Sequence, residues 1–150
     1  MRVVVQRVNY ASIKIAGEIY SQISNGLLIL LGVEAEDTQE DIDWLASKIT
    51  KLRIFSDEEG LMNLSIQERK GDLMVVSQFT LFASTKKGNR PSYIRSAKPE
   101  ISEPLYVDFI SAIEKELERK VATGVFGADM KISLENDGPV TIMMDSKNRE

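Results

Sequence analysis

The chain predicts an α+β fold: a largely antiparallel sheet or half-open β-barrel covered by two main helices, in a single domain spanning residues 1–150. Three observations point there. Strand-like runs follow one another instead of alternating with helices, which disfavours a wholly parallel α/β sheet. Only two stretches, 37–53 and 102–120, carry sustained helical periodicity. The 150 residues suffice for one substantial core, and 43% apolar with 28% charged residues is the balance of an ordinary globular protein.

In order along the chain, Arg2 to Val8 is rich in β-branched residues and reads as a strand, buried on both faces near Val3 to Val5. Ser12 to Ala16 sets Ile13 and Ile15 against Ser12 and Lys14, the alternation of a half-buried strand. Gly17-Glu18 is a turn, Ile19 to Ser24 its hairpin partner, and Asn25-Gly26 a further turn. Leu27 to Val33 then reads as a central strand. Asp37 to Arg53 is the first helix: Thr38 with Asp41 forms a capping box, and Ile42, Leu45, Ile49 and Leu52 define one apolar face. Ile54-Phe55 is a short strand, and Ser56 to Gly60 a polar turn without calcium-loop spacing. Leu64 to Ile66 is short and extended, and Lys70-Gly71-Asp72 is a turn. Leu73 to Leu81 reads as a strand that changes character at Ser77. Ser102 to Lys120 is the second helix, with Ser102 as cap, Pro104 in its first turn, and Leu105, Phe109, Ile113 and Leu117 facing the core. Val121 to Phe126 is a short strand. Two final strands, Met130 to Leu134 and Val140 to Met144, flank Asn136-Asp137-Gly138-Pro139-Val140-Thr141, read as a hairpin-like corner.

Composition removes many chemistries. Cysteine and histidine are both absent. That excludes disulfides, thiolate nucleophiles, zinc sites built on Cys or His, and every Ser-His-Asp or Cys-His arrangement. No side chain has an ordinary pKa near neutrality. An enzyme with this composition works through backbone dipoles, hydroxyls, carboxylates, lysines or a group on its substrate. No apolar run approaches the roughly 20 residues that span a bilayer, and the N-terminus lacks a signal-peptide layout, so a cytoplasmic protein is expected. The net charge is −4, yet Leu73 to Pro99 contains no acid and five cations: Lys86, Lys87, Arg90, Arg95 and Lys98. Two readings stand for this segment, a solvated loop or a steering surface for a polyanion.

Two stretches carry polar groups where the surrounding pattern does not call for them. Ser77-Gln78-Phe79-Thr80 ends an apolar strand with three hydrogen-bonding side chains, as a strand bordering a cleft does or as one simply leaving the core does. Ser77 and Thr80 act as nucleophiles only if activated, and without histidine the base would be a lysine or a glutamate. Gly138-Pro139 couples a residue open to unusual backbone angles with one that has no N–H, a tight turn on local grounds.

Together these stretches resemble the D-aminoacyl-tRNA deacylases. The resemblance covers essentially all 150 residues. It rests on Arg2 to Val8, Gly26 to Val33, SQFTL at 77–81, Gly88-Asn89-Arg90-Pro91-Ser92, Gly127-Ala128-Asp129-Met130 and NDGPVT at 136–141. Departures are small: Tyr93 stands where the family commonly has Phe, and Tyr20-Ser21 replaces a frequent Gly. The resemblance implies an ester hydrolase that frees D-amino acids, and glycine, from the terminal adenosine of tRNA. It implies no metal and no cofactor. It implies a homodimer with each active site at the interface, where Gly138-Pro139, joined by a cis bond, enters the partner's site and excludes L-amino acids. Ser77, Gln78, Phe79 and Thr80 are the expected catalytic segment, with backbone N–H groups near Phe79 as an oxyanion hole and the substrate 2′-hydroxyl assisting the water. Lys86, Lys87, Arg90, Arg95 and Lys98 are the expected tRNA contacts. The alternative is a non-catalytic RNA-binding or chirality-sensing module using the same pocket.

Overall fold

The computed structural model describes residues 1–150. Its main sheet is built on β1 (Arg2–Ile15), one strand of 14 residues where the sequence suggests two. β8 pairs with Val8 and again with Tyr10, skipping Asn9, and so carries the strand across the gap that β3 and β2 leave on the other edge. One edge of β1 is shared: β3 (Gly26–Gly32) pairs with Arg2 to Val8, and β2 (Glu18–Ile23) with Ala11 to Ile15. The other edge is covered along its length by β8 (Lys131–Asp145). All three pairings are antiparallel. β6 (Asp72–Ser77) then adds parallel to β3, and the two-residue β7 (Ala122–Thr123) parallel to β6. Ser21 Oγ donates to the Thr123 carbonyl at 2.9 Å, drawing β2 towards β7 and nearly closing the half-barrel. A separate small hairpin joins β4 (Phe55–Ser56) to β5 (Met62–Leu64).

The strands buried on one face alternate as expected. In β1, Val3 and Val5 are fully buried while Val4 is half-exposed, so burial there is one-sided instead of two-sided. β3 and β6 are apolar on both faces because two cores use them. Leu27, Ile29, Leu31, Leu73 and Val75 pack under the helices, while Leu28, Met74 and Val76 point into the barrel with Val8 and Ile13. Each such side chain contributes about 1.5–3 kcal/mol on burial.

Helix α1 (Gln39–Lys51) starts at the capping box read from the sequence: the Thr38 N–H donates to Asp41 Oδ2 at 2.8 Å. The short helix α2 (Ile66–Arg69) stands where the pattern suggests only extended chain; Ser65 with Glu68 is the same capping signal, and the Ser65 N–H donates to Glu68 Oε2 at 2.7 Å. Helix α3 (Pro99–Leu117) begins three residues before the expected start. Pro99 occupies the first turn, where its missing N–H costs nothing. Ser102 is therefore inside the helix, donating to the Lys98 carbonyl at 3.1 Å, and Pro104 is an interior proline. Phe109 and Ile113 are fully buried as expected, joined by Tyr106, whose hydroxyl donates to the Val75 carbonyl at 2.9 Å. No helix is long and apolar enough to cross a membrane.

The C-terminal corner is the main departure. Residues 131–136 and 141–145 are one strand, not the two arms of a hairpin. Both halves pair with β1 in the same direction, Val8 with Asn136 and Gln6 with Thr141, so the four residues 137–140 face Arg7 alone. The corner is a wide bulge thrown out of a continuous ladder.

Beyond β8, Lys147 Nζ donates to Asp41 Oδ2 at 2.8 Å. Burial pushes the Asp41 carboxyl up, but hydrogen bonds from Lys147, Ser146 and the Thr38 N–H outweigh it and hold it far below its ordinary value of 3.8. A depressed carboxylate adds stability above its unfolded value and loses it as pH falls towards the folded one. Neighbouring Asp37 is raised, first by burial, and has the opposite sign. Asp41→Asn isolates the first effect. We expect its melting temperature to lie below the native one at pH 7, with the gap closing between about pH 5 and pH 2 in thermal melts.

Candidate active site

The central feature is the end of β6. The expected strand to Leu81 stops at Ser77, and Phe79–Phe82 form a single 3-10 turn. Gln78 turns the chain, its N–H donating to the Leu31 carbonyl at 2.7 Å. Gly32 permits this approach: a Cβ there would lie 3.0 Å from Leu81 Cβ and 3.1 Å from the Gln78 carbonyl. Inside the turn Phe82 is buried, whereas Phe79 is 56% exposed. The strand-based expectation that Ser77, Phe79 and Leu81 share one face is thereby overturned, because a helical turn rotates successive side chains instead of alternating them.

The turn is held from three sides. Arg2 Nη1 donates to the Leu81 carbonyl at 2.9 Å, and its guanidinium lies 4.7 Å over the Phe82 ring. Ser96 Oγ donates to the Phe79 carbonyl at 2.5 Å. The Tyr93 ring meets Phe79 edge to face at 5.1 Å. Arg2 is itself fixed by Asp145 at 2.8 Å; burial pushes that carboxyl up, but the Arg2 hydrogen bond and charge, the Lys147 N–H and the N-terminal ammonium together bring it below its ordinary value. The N–H groups of Phe79 and Thr80 open the turn, and the first N–H groups of a helical turn have no partner within it.

These elements border a cavity of 580 Å³. Leu31, Val33 and Val76 form its floor, Ser77 to Phe79 one rim, Tyr93 and Ser96 another, and Phe126 to Met130 the far wall. Tyr106 contributes from α3; burial pushes its phenol up to about 12, so it stays neutral. Asp129 is the one carboxylate on the wall, and Lys131 pairs with it at 2.7 Å. The cavity thus offers backbone dipoles, the hydroxyls of Ser77, Ser96, Ser102, Tyr93 and Tyr106 and the Gln78 amide on a largely apolar surface.

Of the expected site residues, Ser77, Gln78 and Phe79 meet at this cavity. Thr80 lies just off its wall, its hydroxyl accepting from Gln78 Nε2 at 2.6 Å. Gly138 and Pro139 do not line it. They are exposed, joined by a cis bond, on the bulge opposite Arg7. Arg2, at the cavity end of β1, is five residues away from Arg7. At about 3.3 Å per residue that is roughly 16 Å along the strand. Arg7 organises the bulge: Nε lies 2.9 Å from Asp137 Oδ2, and Nη1 donates to the Ile54 carbonyl at 2.5 Å.

Of the expected cationic contacts, Lys86, Lys87 and Arg90 are exposed on the loop between the 3-10 turn and α3, which Ser84 and Ser92 close by paired backbone bonds of 2.8 and 2.9 Å. Lys98 is exposed at the start of α3. Arg95 differs: it pairs with Glu34 at 3.2 Å and lies 5.3 Å over Phe82. Ser96, Arg7 and Asn136 were not singled out as site residues. Ser96 is 17 positions from its partner Phe79, and no local pattern links such a pair.

Comparison with known proteins gives this geometry a context. Residues 4–145 match the family model described as D-Tyr-tRNA(Tyr) deacylase. The chain belongs to that family. It is 61% identical to the D-aminoacyl-tRNA deacylase of Flavobacterium johnsoniae over 100% of both chains. It is equally identical, again over 100% of both, to that of Bacteroides thetaiotaomicron. Among solved structures, the c-Myc DNA Unwinding Element Binding Protein superimposes with a TM-score of 0.91 at 38% identity, over 97% of this chain and 98% of that one.

Because Ser96 restrains the Phe79 carbonyl while Tyr93 touches only the ring, the two should respond differently to substitution. Ser96→Ala is expected to lower deacylation of D-aminoacyl-tRNA by about tenfold with little change in melting temperature, whereas Tyr93→Phe leaves the rate unchanged. Single-turnover rates on both variants check this.

Proposed function

We propose that this chain hydrolyses the ester between a D-amino acid, or glycine, and the terminal adenosine of tRNA. The observation that carries this reading is the Ser77-Gln78-Phe79 rim on a predominantly apolar 580 Å³ cavity, in a chain of the deacylase family. Water adds to the ester carbonyl carbon, the bond from that carbon to the ribose oxygen breaks, and the departing oxygen takes a proton. The products are free amino acid and tRNA. The negative charge that develops on the carbonyl oxygen is met by the Phe79 and Thr80 N–H groups, in an apolar setting where such dipoles act strongly. An aminoacyl ester is already activated, so the reaction needs no histidine. The neighbouring 2′-hydroxyl of the substrate positions the water. Support for this over attack by Thr80 comes from the Thr80 hydroxyl being engaged by Gln78, with no carboxylate or lysine bonded to it.

Discrimination at Cα is the task of Gly138-Pro139. A pocket that rejects L-amino acids of every kind must read groups common to all of them, and fixed main chain does so by occupying the space an L side chain needs. The corner does not reach its own chain's cavity, so it serves the cavity of a second copy in a homodimer. Two features support that assembly: Gly138 and Pro139 are exposed, and β8 leaves one edge unpaired over its 15 residues. Lys86, Lys87, Arg90 and Lys98, with Arg95 beside them, receive the tRNA backbone, in a cytoplasmic enzyme of translation quality control.

Incubation with D- and L-aminoacyl-tRNA tests the reading. Release of the D-amino acid alone supports it. Release of neither favours the non-catalytic RNA-binding module, and equal release of both removes the role of Gly138-Pro139. Thr80→Ala should keep activity within about tenfold of native; a loss of 10² or more with fold and tRNA binding intact would make the hydroxyl the nucleophile. The double variant Lys86→Ala with Lys87→Ala is expected to weaken tRNA binding and to reduce the slope of log affinity against log salt by about 1–2. An unchanged slope would leave the segment a solvated loop.

A further inference from the structure

The bulge has a neck, and one side chain spans it. On β8 the ladder to β1 leaves at Asn136 and resumes at Thr141. Asn136 Nδ2 donates across this gap to the Val140 carbonyl at 3.1 Å. The same nitrogen is 3.4 Å from the Arg7 carbonyl on β1 and 3.4 Å from Thr141 Oγ1. Two hydrogens serve three acceptors, so Val140 is the principal partner and the other two share what remains. The side-chain amide thus does what a missing ladder bond would do. It ties the residue before the excursion to the residues that end it, and both to β1.

The other half of the same amide is informative. Asn136 Oδ1 is buried and accepts no hydrogen bond. Only the donor half is in use, and a buried acceptor without a partner is unfavourable. A leucine would avoid that cost but could not hold the neck. An ionised aspartate has the same shape but would face the Val140 and Arg7 carbonyls with a further acceptor and no hydrogen. The demand at this position is for N–H donors on a short side chain.

We infer that Asn136 is a positioning residue: its side-chain amide clasps the neck of the 137–140 excursion and so fixes where Gly138-Pro139 is presented. The inference rests on the reading of that corner as the discriminating element, and it adds the group that holds it. Asn136 does not line the cavity of its own chain. Its effect falls on discrimination between isomers and on the mobility of the corner. It is separate from the Arg7 contacts, which reach the excursion at Asp137 from the opposite strand.

The test uses Asn136→Asp, which keeps the volume, and Asn136→Ala. Two readouts are taken on the full chain: amide hydrogen exchange at Asp137, Gly138, Val140 and Thr141, and kcat and KM for D- and L-aminoacyl-tRNA. We expect exchange in this segment to rise by about tenfold in both variants while exchange in β3 and β6 stays unchanged. We expect the D-over-L ratio of kcat/KM to fall by about tenfold. Unchanged exchange overturns the clasp. Faster exchange with full discrimination overturns its link to selectivity. Loss of the native fold in both variants overturns it too, since Asn136 would then be a general folding residue. A native chain that does not discriminate overturns the corner reading and the selectivity role together, while exchange still decides whether Asn136 holds the neck.

Discussion

The pairing of β8 along β1, interrupted by a single skipped residue at Asn9 and by the wide bulge opposite Arg7, is the constraint from which most of the structure follows. β1 has its other edge divided between β2 and β3, so a single 14-residue strand holds together both halves of the barrel. With the register set on either side of the break, the four residues 137–140 have one residue to face and must leave the sheet. The excursion is therefore a consequence of the ladder, and its place is as well defined as the ladder itself. At the other end of β1 the same strand supplies Arg2, which holds the 3-10 turn through the Leu81 carbonyl. One strand thus anchors the cavity rim at its start and the Gly138-Pro139 corner five residues later.

This arrangement suits a chain without histidine or cysteine. The cavity has no obvious acid–base pair, and its one carboxylate, Asp129, is engaged by Lys131. What remains is main chain, hydroxyls and one amide on a largely apolar surface. In the proposed reaction the main-chain dipoles would act by being oriented beforehand, with little water to compete. Holding them still is the work of Ser96, Tyr93, Arg2 and the close approach of Gly32, none of which needs to ionise.

Much of this was legible in the sequence, and what was not has identifiable causes. The α+β class, the β2–β3 region, the capping box at Thr38 and the core faces of both long helices follow from local pattern. α2 carries a readable capping signal, Ser65 with Glu68, but four residues are too few to show a helical period. For α3, Ser102 and Pro99 are both good starts, and the choice depends on what each packs against. For SQFT the local pattern leaves a cleft border and a strand leaving the core both open, and in either case reads as a strand. Phe79-Thr80-Leu81-Phe82 has strand-like composition, and only the anchoring of Phe82 and the contact with Gly32 convert it to a 3-10 turn. The Gly138-Pro139 corner reads locally as a hairpin because two alternating runs on either side of a Gly-Pro usually fold back on each other.

The sequence by itself determined the chemistry that is excluded, the two motifs that matter, and their family. Those depend on residue identity and order, which are complete in one dimension. Only the tertiary structure decided that the corner is a bulge, that SQFT ends in a helical turn, and that the two do not meet within one chain. Each of those depends on which distant backbone supplies a hydrogen-bond partner: β1 for both halves of β8, the Leu31 carbonyl for Gln78, Ser96 for Phe79. Local pattern carries no information about such partners, because the energy that selects them is shared between segments tens of residues apart.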